Sequence, residues 1–223
     1  MKFIPKSTSS ELWFVSITSI SFLALCLIAF RGTWFESLAP LSFLYPAIAI
    51  LWAKKIPIEH YGLKKFLPSI DHWKIFGLTT FITLVPYFLV LYFFQSGEFN
   101  LNNVPNWRDL FSQTVFQVLI VALPEEFFFR GYLQTRIAEL PQYSRKNFRF
   151  LKTNFVGGLF PVLLSNSLFA CIHLFGNLNP LRLLTFFPGL IFAFLWARTG
   201  NLTVVILYHA LCNLVLFIFT AVF

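Results

Sequence analysis

The amino-acid sequence predicts an all-α fold: a polytopic membrane helical bundle of about seven transmembrane helices, with a polar cavity between helices 4, 5 and 7. Three observations carry that prediction. Of 223 residues, 57% are hydrophobic and only 12% charged, and the mean hydropathy is +0.73, which is too apolar for a soluble globular domain. Apolar runs of about 20 residues, the length a helix needs to cross a bilayer, recur along the chain. The lysines and arginines cluster in alternate connections between those runs, so the net charge of +8 reads as membrane topology and not as a nucleic-acid surface.

Taken in order, the spans are Leu12–Phe30, Trp34–Ala53, Lys74–Phe94, Leu110–Leu133, Phe155–Phe175, Leu181–Ala197 and Leu202–Ala221. The first follows Lys2 and Lys6 as a signal peptide would, but it lacks a small-residue cleavage site and Arg31 follows it directly, so it is a retained span. Trp13, Trp34, Trp52, Trp73, Trp107 and Trp196 all fall at span ends, where an amphipathic indole prefers the headgroup layer. One side of the membrane collects Lys2, Lys6, Lys54, Lys55, Lys64, Lys65, Lys74, Arg136, Arg145, Lys146, Arg149, Lys152 and Arg198; the other has Arg31, Arg108 and Arg182. That bias puts the N-terminus in the cytoplasm and the C-terminus outside. Between the second and third spans, Ile56–Phe66 reads either as a short amphipathic helix at the interface or as an ordinary basic loop. Arg198, before Thr199, Gly200 and Asn201, marks a cytoplasmic turn. Cys26, Cys171 and Cys212 have no paired spacing and support neither a disulfide framework nor a thiol metal site. No repeat or linker divides the chain, which reads as a single membrane domain over residues 1–223.

The fourth span carries the charge that needs a reason. Glu125, Glu126 and Arg130 lie among Phe, Leu, Val and Ile, while the other acids fall in or near polar connections. An ionised side chain at mid-bilayer costs about 2.5–3.5 kcal/mol on insertion scales, so intramembrane acids are a functional hypothesis by default. At about 100° per residue, Glu126 and Arg130 share a helical face and can pair, whereas Glu125 points away towards a cavity. Pro124 removes a backbone donor and makes the helix irregular there. The fifth span adds His173, with Ser165, Asn166 and Ser167 about two turns earlier. In the seventh, His209 and Asn213 lie four residues apart on one face. Phe127 to Phe129 read as lipid-facing and packing residues. For Tyr208, Ser165 and Asn166 a structural role outweighs a place in the cavity wall. A carboxylate beside an imidazole can activate water, and a second imidazole and an amide can donate to the oxyanion formed on a carbonyl, so peptide hydrolysis fits these parts.

The arrangement Glu-Glu-x-x-x-Arg at Glu125, Glu126 and Arg130, then Phe-x-x-x-His at Phe169 and His173, then His-x-x-x-Asn at His209 and Asn213 resembles the CPBP or ABI family of intramembrane proteases. That family includes CAAX prenyl endopeptidases of the Rce1 type and bacteriocin-processing enzymes. The three motifs fall in order on three separate spans, within a protease core of about residues 108–223. The resemblance implies Glu125 as the general base that activates water, His173 as its partner, His209 and Asn213 as oxyanion stabilisers, and Glu126 and Arg130 as supports. It implies a membrane-anchored or prenylated substrate within the lipid bilayer of a prokaryotic plasma membrane. The family has been described both with a metal and as a glutamate-type protease without one. No ligand spacing here demands zinc, so the metal-free form is favoured; zinc, if present, would use Glu125, His173 and His209.

Two readings compete from other classes. Intramembrane acids and histidines also build proton relays in transporters and channels, although the paired halves of many transporters are missing here. A non-catalytic immunity or scaffold protein would also keep the fold, but the motif set is intact. Depth poses a further question. Counted along the spans, Glu125 and His209 fall in the cytoplasmic half and His173 near the outer end. One site then requires the fifth helix to begin later and extend past Phe175, or the helices to tilt and break around a cavity. The resemblance favours cytoplasmic access.

Overall fold

The structure, a computed structural model, describes residues 8–63, 68–94, 100–140, 158–176 and 179–223, and all regular elements among them are helical. Outside the described residues lie Lys2, Lys6, Lys64, Lys65, Arg145, Lys146, Arg149, Lys152, the start of the fifth span and the end of the Ile56–Phe66 segment. Helix α1 (Ser9–Ala29) begins where the Thr8 side chain accepts from the Glu11 amide. A 3-10 stretch, Trp34–Phe43, contains Pro40 and continues into α2 (Leu44–Ala53). Next come α3 (Ile70–Phe94) and α4 (Trp107–Ala138), the latter started by Asn106, whose side chain accepts from the Arg108 and Asp109 amides. Helix α5 (Leu159–Gly176) is followed by a 3-10 turn, Pro180–Thr185, that leads into α6 (Phe186–Thr199). Gly200, at φ +56°, ends α6, and Asn201 caps α7 (Leu202–Val222). Six of these segments are long and apolar enough to cross a membrane, and the described part of the fifth span is shorter. The protein is a polytopic helical bundle.

Contacts between connections define two ends of the bundle. At one end Glu11 of α1 pairs with Lys54 after α2 and with Arg136 of α4 at 2.9 Å, Arg136 pairs with Glu139 at 2.8 Å, and Glu139 meets His60 at 2.5 Å. At the same end the Leu202 amide donates to the Gly62 carbonyl at 3.1 Å. At the other end the Asn100 amide, between α3 and α4, donates to the carbonyl of Val222 at 2.9 Å. Helix direction therefore alternates as the sequence predicts.

Four expectations need correction. Trp196 is buried, because Gly62 sits over its ring at φ +90°; a Cβ there would collide with the indole, so this tryptophan packs the bundle and does not join the headgroup belt. Phe127, Phe128 and Phe129 do not face lipid: all three are buried, with Phe43 stacked 5.1 Å from Phe128 and edge-on to Phe129 at 5.2 Å. Arg136 is not a connection residue but a fully buried one, so a second charged cluster exists beside the one in mid-span. In the described part of Ile56–Phe66 only one 3-10 turn, Ile58–Tyr61, forms. Ile56 and Tyr61 are buried, which docks this segment into the bundle, and burial pushes the Tyr61 phenol pKa up.

Candidate active site

Helix α4 is the element that positions the acids. The backbone around Pro124 is a short α segment, Leu123–Glu126, between two wider π-helical segments, Gln117–Ala122 and Phe127–Gln134. Proline cannot donate to the preceding turn, and the register widens on both sides of it. The irregularity predicted at Pro124 is present. About two turns farther along α4 the Ile58–Tyr61 turn approaches closely: at Gly131 a Cβ would lie 3.1 Å from the Tyr61 carbonyl oxygen.

Glu126 and Arg130 pair across one turn as predicted, Nη1 donating to Oε1 at 3.2 Å with both groups buried. The rest of the guanidinium is also held. Its Nη2 donates to Asn166 Oδ1 at 3.3 Å and to the Gly189 carbonyl at 3.1 Å, and its carbon lies over the Phe169 ring at 4.1 Å. Asn166 in turn donates to the Phe186 carbonyl at 2.7 Å, and Ser165 donates to the Phe129 carbonyl at 2.6 Å. These two side chains tie α5 to α6 and α4, the structural role expected of them. Tyr208 has such a role as well, hydrogen-bonded to Thr83 of α3.

His209 connects the acids. Its Nδ1 lies 2.7 Å from Glu126 Oε1 and its Nε2 lies 3.9 Å from Glu125 Oε2, with the ring stacked on Phe192 at 4.6 Å. The 3.9 Å separation is too long for a hydrogen bond. Glu125 Oε2 is buried and has no hydrogen-bond partner among the described residues. His173 is half-buried, and its Nδ1 lies 2.7 Å from the Phe169 carbonyl. A carbonyl only accepts, so Nδ1 carries the hydrogen of this contact and Nε2 is the nitrogen left to face the cavity. Asn213 donates to Gln117 Oε1 at 2.8 Å. Gln117 was not singled out from the sequence; an amide inside an apolar span was the available signal.

A cavity of about 450 Å³ meets this constellation. Glu125 and His173 both line it, together with Phe43, Phe116, Ile172 and, towards the bundle end, Glu36 and Arg182. His209 stands behind Glu125 and Asn213 one turn farther along α7; neither is among the lining residues. Glu125 and His173 share one cavity, with α4 irregular around Pro124 and the described α5 starting at Leu159 and reaching Gly176. Among the described residues no three His, Cys, Asp or Glu side chains converge to hold a metal ion. His209 Nδ1 is engaged by Glu126, which leaves Nε2 as the nitrogen facing Glu125.

Fold and site together define an integral membrane protein with a buried carboxylate–imidazole centre beside a cavity between helices. Residues 107–215 match the family model for the type II CAAX prenyl endopeptidases, Rce1-like, a match that supports assignment to the CPBP/CAAX protease family. The match runs from the first residue of α4 into α7 and contains all three motifs. No curated protein and no solved structure matches the chain. The family is one of CAAX-type intramembrane endopeptidases.

Proposed function

We propose that this chain is an intramembrane endopeptidase that hydrolyses a peptide bond of a membrane-anchored or lipidated substrate, with Glu125 as general base. One observation carries the reading. Of the two adjacent acids, Glu126 is held by Arg130 and His209, whereas Glu125 has an oxygen without a partner and lines a cavity with His173. A water in that cavity would donate one proton to Glu125 and be oriented by Nε2 of His173. Its oxygen attacks the scissile carbonyl carbon, the carbonyl oxygen becomes the oxyanion, and Glu125 then passes the proton to the departing amine.

His209 sits between the two acids, with Nδ1 at Glu126 and Nε2 towards Glu125, the position from which the resemblance has it stabilise the oxyanion. Asn213 uses one amide hydrogen on Gln117; the resemblance assigns its second to the oxyanion, which requires substrate to reach beyond the residues that line the cavity.

The test is cleavage of a prenylated or lipid-anchored peptide by purified protein in liposomes. Glu125→Gln and His173→Ala each lower kcat by about 10²–10⁴-fold if they act as base and partner. Unchanged cleavage in both variants overturns the assignment. A chelator leaves activity intact under this mechanism; loss restored only by zinc assigns the reaction to a metal centre.

A further inference from the structure

The cavity belongs to one end of the bundle. Leu23 and Leu27 near the end of α1, Thr33, Glu36, Ser37 and Pro40 just beyond it, His173 near the end of α5 and Arg182 before α6 all line it. Helix alternation puts these positions on the side opposite Glu11, Lys54, His60 and Arg136, whose mutual contacts mark the other end. None of the lining residues comes from that other end.

Among the described residues the opposite end is closely packed below Glu125. Phe127, Phe128, Phe129, Tyr132 and Tyr61 are each at most 2% exposed, and the turn around Gly62 lies over Trp196. A polypeptide reaching Glu125 from there would have to displace a packed aromatic layer and break the network of Glu11, Arg136 and Glu139.

The closed end is also the basic end. It holds Lys54, Lys55, Lys74, Arg136 and Arg198, and the sequence adds eight more cations in the same connections, against Arg31, Arg108 and Arg182 at the cavity end. Basic connections stay in the cytoplasm. We infer that the cavity admits its substrate from the non-cytoplasmic face, so that the substrate is a membrane-anchored polypeptide whose scissile segment lies on that side. This replaces the cytoplasmic access that the CAAX-type resemblance favours, and it rests on the proteolytic reading of Glu125.

The face and the chemistry can be tested separately. With Cys26, Cys171 and Cys212 replaced by alanine, Ser37→Cys at the exposed cavity rim and Glu59→Cys at the exposed closed end are treated with a membrane-impermeant maleimide. In intact cells Ser37→Cys is labelled and Glu59→Cys only after lysis; the reverse pattern overturns the inference. A lipid-anchored peptide added outside sealed vesicles is cleaved by right-side-out and not by inside-out preparations. Cleavage only by inside-out vesicles also overturns it. Absence of cleavage in both orientations defeats the protease reading, while the labelling still decides which face the cavity serves.

Discussion

Replacing Arg130 with methionine removes the cation that holds Glu126 while keeping much of the side-chain volume. Arg130 is 1% exposed and Glu126 fully buried, so water cannot take the place of the guanidinium. Breaking a buried ion pair by deleting one partner costs about 3–5 kcal/mol. Two features argue for the lower end: the Arg130 hydrogen bonds are long, at 3.1–3.3 Å, and Glu126 keeps His209 at 2.7 Å. Loss of the contact over Phe169 adds about 0.5–2 kcal/mol. The single variant should therefore lose about 3.5–5 kcal/mol in a reversible denaturation titration in mixed micelles, read by tryptophan fluorescence. The informative comparison is Arg130→Met with Glu126→Gln in the same chain, which removes the orphaned charge. That double variant should be more stable than the sum of the two single effects predicts, by about 1–3 kcal/mol. Additivity within about 0.5 kcal/mol would refute the claim that the two residues act as a pair.

Two substitutions of glycine test the packing around the site. Gly189→Ala puts a Cβ against the Asn166 amide oxygen and 3.0 Å from Arg130 Nη2, so the same titration should show a loss of about 1–3 kcal/mol together with reduced cleavage. Gly62→Ala combines a left-handed backbone with collision against the Trp196 ring, and a loss of about 2 kcal/mol or more is expected at the closed end, far from Glu125. A shift in Trp196 fluorescence before global unfolding would report that local opening.

The parts of this fold that depend on local pattern were legible in the sequence. Span positions follow from apolar length alone, and the Glu126–Arg130 pair follows from the helical repeat. What was not legible is partner choice across large separations. Nothing near Glu11 in the chain announces Arg136, 125 residues away, and nothing near Asn213 announces Gln117, 96 residues away. Trp196 misled because an indole near a span end reads as interfacial, while its burial depends on a turn from a different connection. The phenylalanines after Glu126 misled for a related reason. An apolar side chain suits lipid and protein interior equally, and distant partners such as Phe43 and Phe169 decide between them. His209 was placed on the right face, but its contact with both acids required the tertiary fold.

The two acids should separate in stability as well as in chemistry. Each buried charge carries an insertion cost of about 2.5–3.5 kcal/mol. Glu126 offsets its cost through Arg130 and His209, so Glu126→Gln removes a favourable partner for both and should destabilise the bundle. Among the described residues Glu125 has no ion pair closer than the 3.9 Å approach to His209 and has an oxygen without a hydrogen bond, with Arg130 acting on it only at longer range, so its charge is offset less than that of Glu126. Glu125→Gln keeps the shape and removes that charge, and it should leave stability unchanged or raise it while abolishing cleavage, as expected where a site is kept for reactivity at a cost in stability. Unfolding titrations of the two glutamine variants side by side give the answer. If Glu125→Gln weakens the protein as much as Glu126→Gln does, Glu125 is a structural acid with partners of its own, and the base must be sought elsewhere along the cavity wall.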